Sequence, residues 1–333
     1  MEATSTIERS TLDLYRSYPY PLTTARQRRE TLAYQICKYR FLGMEQALRG
    51  GRVLDAGCGT GRLMNVAKHY DMCEYVGLDQ SAASLAYAKK AAEEEEFDRF
   101  TPVEGSVFEI PYPDDSFDAV LCWGVLQVTP DPLRGLRELV RVCKPGGFVA
   151  IWVYNPFTHW RHNLQKRKIN RLAGDDIHRR FGVAHRLYGR KPVADMTPQE
   201  ISTFFDRFCV PLESNHTYGE ILSWFDRLGL EFQGTSPPLR FRDLLSYLRT
   251  LDQLVQTYST DVTGAGLQRM AFRAARWARL IPGSTARQVP FRRPTLLHRA
   301  FWQTQLAWHG RRPAAFHASS FAARKLRAGN DDL

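Results

Sequence analysis

Three glycines and two aspartates carry the sharpest chemical signal in this chain. Asp55 closes a short apolar run, Gly57-x-Gly59-x-Gly61 follows it, and Asp79 ends the next apolar run 22 residues after Gly57. A strand that turns into a helix through glycines lets a ligand approach the backbone, because no Cβ stands in the way. The spacing is GxGxG, not the GxGxxG of nicotinamide-binding loops, whose pyrophosphate lies on the helix N-terminus. An acidic residue two positions before the first glycine suits a ligand that presents a cationic group instead. At Asp79, a carboxylate is placed to accept hydrogen bonds from ribose hydroxyls. Helix capping alone would explain each aspartate but not their joint spacing with the glycines.

A second set of residues could handle protons. Asp206 and His216 flank a short segment before an amphipathic stretch, and Tyr20 lies in Tyr18-Pro19-Tyr20-Pro21. These three are candidates for acting on an acceptor, with Tyr18 beside them; helix-start packing for His216 and simple burial for the tyrosines are the plainer readings. Six cysteines (Cys37, Cys58, Cys73, Cys122, Cys143, Cys209) form no CxxC pair and no zinc-type spacing with histidine, so they read as reduced core residues, with no metal site.

The elements that must position these groups follow from periodicity. Strands are expected at Arg52 to Ala56, Tyr75 to Asp79, Thr101 to Glu104, Phe117 to Trp123 and Gly147 to Val153. Helices are expected at Arg62 to Lys68, Ser81 to Glu95 and Arg134 to Arg141. Such alternation gives an α/β, doubly wound (Rossmann-like), mostly parallel sheet with ligands at the carboxyl ends of its strands. Residues 1 to 49 read as an N-terminal helical lid, 50 to 155 as the binding core and 156 to 214 as a basic helical insertion over the acceptor site. Residues 215 to 240 return to the core, and 241 to 333 read as a basic helical C-terminal extension. In the lid, Leu32, Ile36, Tyr39 and Leu42 recur at helical spacing and should pack one face on the body. The Glu93 to Glu96 run reads as an exposed helix end.

The 333 residues carry a formal net charge of +11, unevenly spread: residues 156 to 333 hold 28 Lys+Arg against 14 Asp+Glu, and residues 1 to 155 are slightly acidic. A basic half attracts anionic substrates, nucleic acid or acidic membranes, or is merely a solvated face. The first ten residues, MEATSTIERS, contain no apolar export segment, and nowhere do 18 uncharged apolar residues run together, which leads to the expectation of a cytoplasmic protein.

At this point a family resemblance becomes plain. Val53 to Gly61 (VLDAGCGTG), Gly77 to Ser81 (GLDQS), Ile110 to Asp118 (IPYPDDSFD) and Leu136 to Ile151 (LRELVRVCKPGGFVAI) resemble the motifs of class I S-adenosylmethionine-dependent methyltransferases, especially the branch acting on quinones and other small molecules. The resemblance implies S-adenosyl-L-methionine as cofactor, held by Asp55, Gly57, Gly59, Gly61, Asp79, Gln80, Ser106, Val107 and Trp123. Two departures stand out. Gly105-Ser106 replaces the glycine-aspartate pair that many relatives use for the adenine, and Leu126-Gln127-Val128 stands where quinone-type relatives have a histidine pair.

The expected function is therefore methyl transfer to a small-molecule acceptor of anionic or lipid-soluble character. Two rivals remain on the sequence: methylation of RNA or other nucleic acid, and a non-catalytic methyltransferase-like scaffold. Cys122-Trp123-Gly124-Val125 lacks the Asn/Asp-Pro-Pro-aromatic pattern of base-amine methylation, which argues against nucleic acid. The scaffold would use the basic C-terminal half, with Leu267 to Leu280 as an interfacial helix, for peripheral membrane contact. The sequence leaves the oligomeric state open.

Overall fold

The apolar runs of the core are buried on both sides, as interior strands of a parallel sheet require. In this computed structural model, residues 6–236, 238, 241–258 and 318–326 are described, with a few isolated positions between 296 and 304. The strands are β1 (Arg52–Ala56), β2 (Glu74–Asp79), β3 (Phe100–Glu104), β4 (Phe117–Trp123), β5 (Cys143–Tyr154), β6 (Leu230–Ser236) and β7 (Ala318–Lys325). They form one sheet in the order β3-β2-β1-β4-β5-β7-β6, parallel except where β7 runs antiparallel to both of its neighbours.

Successive strand residues point to opposite faces, so each face builds its own core. On one face Leu54, Val76, Val120 and Val149 pack with Leu136 and Leu139 of α6 (Pro132–Val142) and with Ile221 and Phe225 of α10 (Tyr218–Arg227). On the other, Val53, Tyr75, Ala119 and Ala150 meet Leu48 of α3 (Glu45–Leu48), Met64 and Ala67 of α4 (Met64–His69) and Ala91 of α5 (Ala82–Glu94). Three of these helices, α5, α6 and α10, start on a side-chain cap: Ser81 accepts from Ser84 N, Asp131 from Arg134 N, and Thr217 forms a capping box with Glu220.

The N-terminal α1 (Thr6–Ser17) and α2 (Ala25–Phe41) lie over the carboxyl ends of the strands. The expectation that this helix packs a single face on the body needs correction, because α2 is buried on two faces. Tyr39 and Leu42 join the sheet-side core, while Ile36, Cys37 and Phe41 pack against Tyr247, Leu251 and Leu254 of α11 (Phe241–Tyr258). The acidic run is not a free helix end either. Arg28, 1% exposed, donates to Glu95 Oε1 (2.9 Å) and Glu94 Oε2 (2.6 Å), which ties α2 to the end of α5. Of the six cysteines, Cys73 is exposed, so the core reading holds for five.

Residues 156–209 form α7 (Pro156–Ala173), α8 (Ile177–Tyr188) and α9 (Pro198–Cys209), which share a core of Ile169, Ala184, Phe205 and Phe208 that also takes in Leu14 of α1.

The expectation of an all-helical C-terminal extension is overturned at β7. Ala-Ser-Ser-Phe-Ala-Ala-Arg-Lys has the propensity of a helix. Tertiary pairing overrides it, because the slot between β5 and β6 offers backbone partners on both edges. Small Ala322 and Ala323 fit there with no exposure, and Lys325 Nζ fixes the strand end by donating to Cys143 O (2.7 Å) and Asp115 Oδ1 (2.6 Å). The stretch Leu267 to Leu280 lies outside the described residues.

Phe321 is fully buried in β7, and its ring meets that of Tyr218 at a tilt of 48° (5.7 Å between centroids). Phe321→Ala is expected to destabilise the protein by roughly 3–5 kcal/mol, the usual cost of truncating a buried aromatic. A urea unfolding midpoint unchanged from wild type would mean that β7 contributes no core.

Candidate functional site

Strand ends deliver most of the site. At the carboxyl edge of the sheet a cavity of about 980 Å³ is lined by Asp55 from β1, Asp79 and Gln80 after β2, Ser106 and Val107 after β3, Trp123 from β4 and Tyr154 from β5. Gly57 and Gly59 floor it with φ of +81° and +53°. Gly61 does not line it. A Cβ there would lie 3.0 Å from Ala88 Cα, so this glycine serves the approach of α5 to the loop.

Gly59 has a different neighbour from the one its motif suggests. A Cβ at Gly59 would lie 2.5 Å from the carbonyl oxygen of Tyr20, and Thr60 Oγ1 donates to the carbonyl oxygen of Pro21. The Tyr18-Pro19-Tyr20-Pro21 segment thus lies directly on the glycine loop. On its other side it meets one face of α9 at i, i+3 and i+4 spacing. Ser202 Oγ donates to Pro19 O (2.6 Å), Phe205 stacks on Tyr18 (3.7 Å between centroids), and Asp206 Oδ1 accepts from Tyr15 Oη (2.8 Å).

The electrostatics divide the cavity into two ends. Asp55, 3% exposed, accepts from Tyr75 Oη (2.6 Å), yet burial pushes its pKa up to about 6. Asp79 accepts from Gly59 N and Ser81 N (both 2.9 Å); burial raises its pKa and those two amides oppose the rise. Lys38 lines the same end, with Nζ 3.9 Å above the Trp123 ring, and burial lowers its pKa well below the usual lysine range. Arg62 also lines the wall and acts on both Asp55 and Lys38. Ser106 accepts from Phe108 N through its hydroxyl (3.2 Å).

The far end is phenolic and acidic. Tyr15, Tyr20, Tyr154 and Asp206 line it together. Burial drives the Asp206 pKa to about 7; the hydrogen bond from Tyr15 and the charge of Lys166 hold it down, while Glu213 pushes it further up. The charge of Asp206, followed by burial, raises the pKa of Tyr20. Of residues 156–214, Asp206 is the one that lines the cavity.

Sequence reasoning singled out Asp206 and Tyr20, and the structure brings them together. His216 it places elsewhere, outside the cavity lining: buried before α10, its ring is held by Ser214 Oγ at Nε2 (2.7 Å) and Glu220 Oε1 at Nδ1 (3.1 Å). Tyr15, Tyr154 and Lys38 went unremarked. Tyr154 had a readable signal, since it ends β5 as Trp123 ends its neighbour β4, whereas Lys38 was an unusual cation inside an apolar helical run.

The set fits S-adenosylmethionine. Asp55 offers a carboxylate to a cationic group, and Asp79 keeps acceptor capacity for hydroxyls beyond its two backbone amides. The raised pKa of Asp55 gives a sign to test. An acid whose folded pKa is raised stabilises the fold below its unfolded pKa and loses that contribution as pH climbs through about 6. At pH 7 the buried charge costs roughly 3 kcal/mol in the free protein. Asp55→Asn is thus expected to raise the melting temperature at pH 7 while weakening S-adenosylmethionine binding in calorimetry. Wild-type affinity should fall as pH drops below about 6. Unchanged affinity in the variant would remove Asp55 from the site.

The chain is similar in sequence to several known proteins. Residues 54–151 match the Methyltransferase domain family. The chain is 27% identical over 220 residues to an uncharacterized protein of Synechococcus sp., covering 61% of this chain and 52% of that one. It is 37% identical over 103 residues to 2-methyl-6-phytyl-1,4-hydroquinone methyltransferase 1 of Oryza sativa subsp. japonica, covering 31% and 30%. Phosphatidylethanolamine N-methyltransferase of Cereibacter sphaeroides is 36% identical over 104 residues, covering 31% and 50%. The chain therefore spans about half or less of the length of these curated relatives. A solved S-adenosylmethionine-dependent methyltransferase of Mesorhizobium loti aligns with a TM-score of 0.44 at 16% identity, covering 84% and 92%. Residues 54–151 of the chain therefore correspond to a methyltransferase domain.

Proposed function

We propose that this protein transfers the methyl group of S-adenosylmethionine to a proton-bearing atom, hydroxyl or amine, of a small lipid-soluble acceptor held among Tyr15, Tyr20 and Tyr154. The observation that carries this reading is that Asp206, a carboxylate with a pKa of about 7, opens into the same cavity as the glycine loop. When bound, the cofactor supplies an electrophilic methyl on a sulfonium. The acceptor's lone pair would bond to that methyl as its bond to sulfur breaks to leave a neutral thioether, and the acceptor's proton would pass to Asp206, with Tyr15 and Tyr20 holding the carboxylate and the acceptor in place. Asp55 receives the cofactor's ammonium, Lys38 or Arg62 its carboxylate, and Asp79 the ribose hydroxyls. The Tyr18–Pro21 segment excludes water from the reacting atoms.

The acceptor's character follows from the walls. A carboxylate among aromatic rings repels an anion and receives an apolar body with one polar handle. The basic residues of 156–214 do not line this chamber, so their charge gives no support to an anionic acceptor. Two of the relatives are named for lipid-soluble substrates, a phytyl hydroquinone and phosphatidylethanolamine, which supports the same class. Leu126-Gln127-Val128 in place of a histidine pair favours a heteroatom over a quinone carbon as the methylated position.

In single-turnover assays with lipid-extract acceptors, Asp206→Asn is expected to lower turnover by about 10²–10⁴-fold with cofactor affinity unchanged. Because Asp206 works deprotonated, the wild-type rate should rise with pH through about 7. Tyr15→Phe removes the hydrogen bond that holds this pKa down, so the rising limb should move to higher pH. A profile insensitive to both substitutions would exclude Asp206 as the base.

A further inference from the structure

The helix that leaves the cavity wall shows a face that nothing in the methyl-transfer reading uses. Each α7 residue advances about 100° around the axis. On that basis Phe157, Trp160, Arg161, Leu164, Arg167, Lys168, Arg171 and Leu172 fall within an arc of about 140°, and all eight are exposed. The opposite face, with Thr158, His159, His162, Lys166, Ile169 and Ala173, is buried. Trp160, Leu164 and Leu172 are 45%, 56% and 50% exposed, large values for side chains of that size. Not one residue of α7 is acidic. Arg161 lies over the Trp160 ring (5.8 Å), which keeps the indole and the cation on one surface. Beyond α7 the surface continues into a groove of about 400 Å³ lined by Leu172, Val183 and Leu187 with Arg179 and Arg186.

We infer that this outer face of α7, with the adjoining α8 groove, docks the protein on an anionic lipid bilayer. A helix lying in a membrane interface presents aromatic and aliphatic side chains interleaved with Lys and Arg, so that the apolar groups enter the acyl boundary while the cations meet lipid phosphates. Charge decides against the other occupants. A second copy meeting this face about a two-fold axis would set cations against cations. Residues 259–317 carry ten arginines and one aspartate, the same sign as the face. Nucleic acid would satisfy the charges but would leave Leu164 and Leu172 without an apolar partner. The surface also stands beside the chamber, for Trp160 is six residues past the cavity-lining Tyr154, in the second turn of α7. Docking here brings the cavity to the bilayer from which a lipid-soluble acceptor is drawn. The inference goes beyond the proposed chemistry and does not depend on it.

The test is flotation of the full chain with vesicles of phosphatidylcholine, with and without phosphatidylglycerol, alongside calorimetry with S-adenosylmethionine and thermal melts. The wild type should float with the anionic vesicles and do so less as salt is added. The triple variant Arg161→Glu, Lys168→Glu, Arg171→Glu should lose on the order of 100-fold or more in partitioning, and Trp160→Ser with Leu164→Ser on the order of 10-fold or more. Both variants should keep wild-type melting and cofactor affinity. Absence of wild-type flotation, or flotation indifferent to both variants, would overturn the inference. So would a dimer in sedimentation that Trp160→Ser disperses without any vesicle binding. Cofactor affinity is read separately, so failure at the membrane is distinguishable from failure of the methyltransferase reading.

Discussion

The seam between the Tyr18–Pro21 backbone and the glycine loop governs the architecture around the cavity. Gly59 has no Cβ, and the carbonyl of Tyr20 occupies the space a Cβ would need. Thr60 then fixes the register by donating to Pro21 O. With that contact made, the N-terminal segment is held from above by Ser202, Phe205 and Asp206, all on one face of α9. The glycine loop and the α9 face that carries Asp206 are thereby joined by one short stretch of chain, and the position of each depends on the other.

Burial of charge has opposite uses at the two ends. Asp55 and Asp79 sit where a cationic ligand would relieve the cost of their desolvation, so stability given up by the free protein is regained on binding. Asp206 is instead raised by burial above all, with Tyr15 and Lys166 favouring its charge and Glu213 opposing it. A carboxylate left near neutrality this way can both take up and release a proton at physiological pH. The buried Lys166–Glu213 pair (3.0 Å) behind it joins α7 to the loop after α9, so residues 156–214 tune the cavity more than they line it.

The cofactor loop was legible in the sequence because its chemistry is local: Asp55, Gly57 and Gly59 lie within five residues, and Asp79 ends the adjacent strand. The acceptor chamber was legible in part. Asp206 and Tyr20 stood out by type, but the Tyr15–Asp206 bond joins residues 191 apart, and no periodicity reports such a pairing. His216 drew attention for its type and its place before a helix, and its hydrogen bonds belong to that helix start. β7 was hidden because alanine-rich segments favour helix locally, and only the open edges of β5 and β6 make a strand of this one.

Those edges have a bearing on how the chain is made. β5 ends at Tyr154 and the strand that separates it from β6 begins at Ala318, so the ribosome adds more than 160 residues before the sheet can close. At ordinary synthesis rates that interval is roughly 10 to 30 s. During it the edge of β5 presents unpaired backbone groups to the crowded cell, a template for mispairing that a finished protein does not offer. Direct β5–β6 pairing would be the nearest wrong answer, and it would leave Ser320 out of the cavity wall it helps to form. The order of synthesis thus leaves one β-edge uncovered until Ala318–Lys325 has been made.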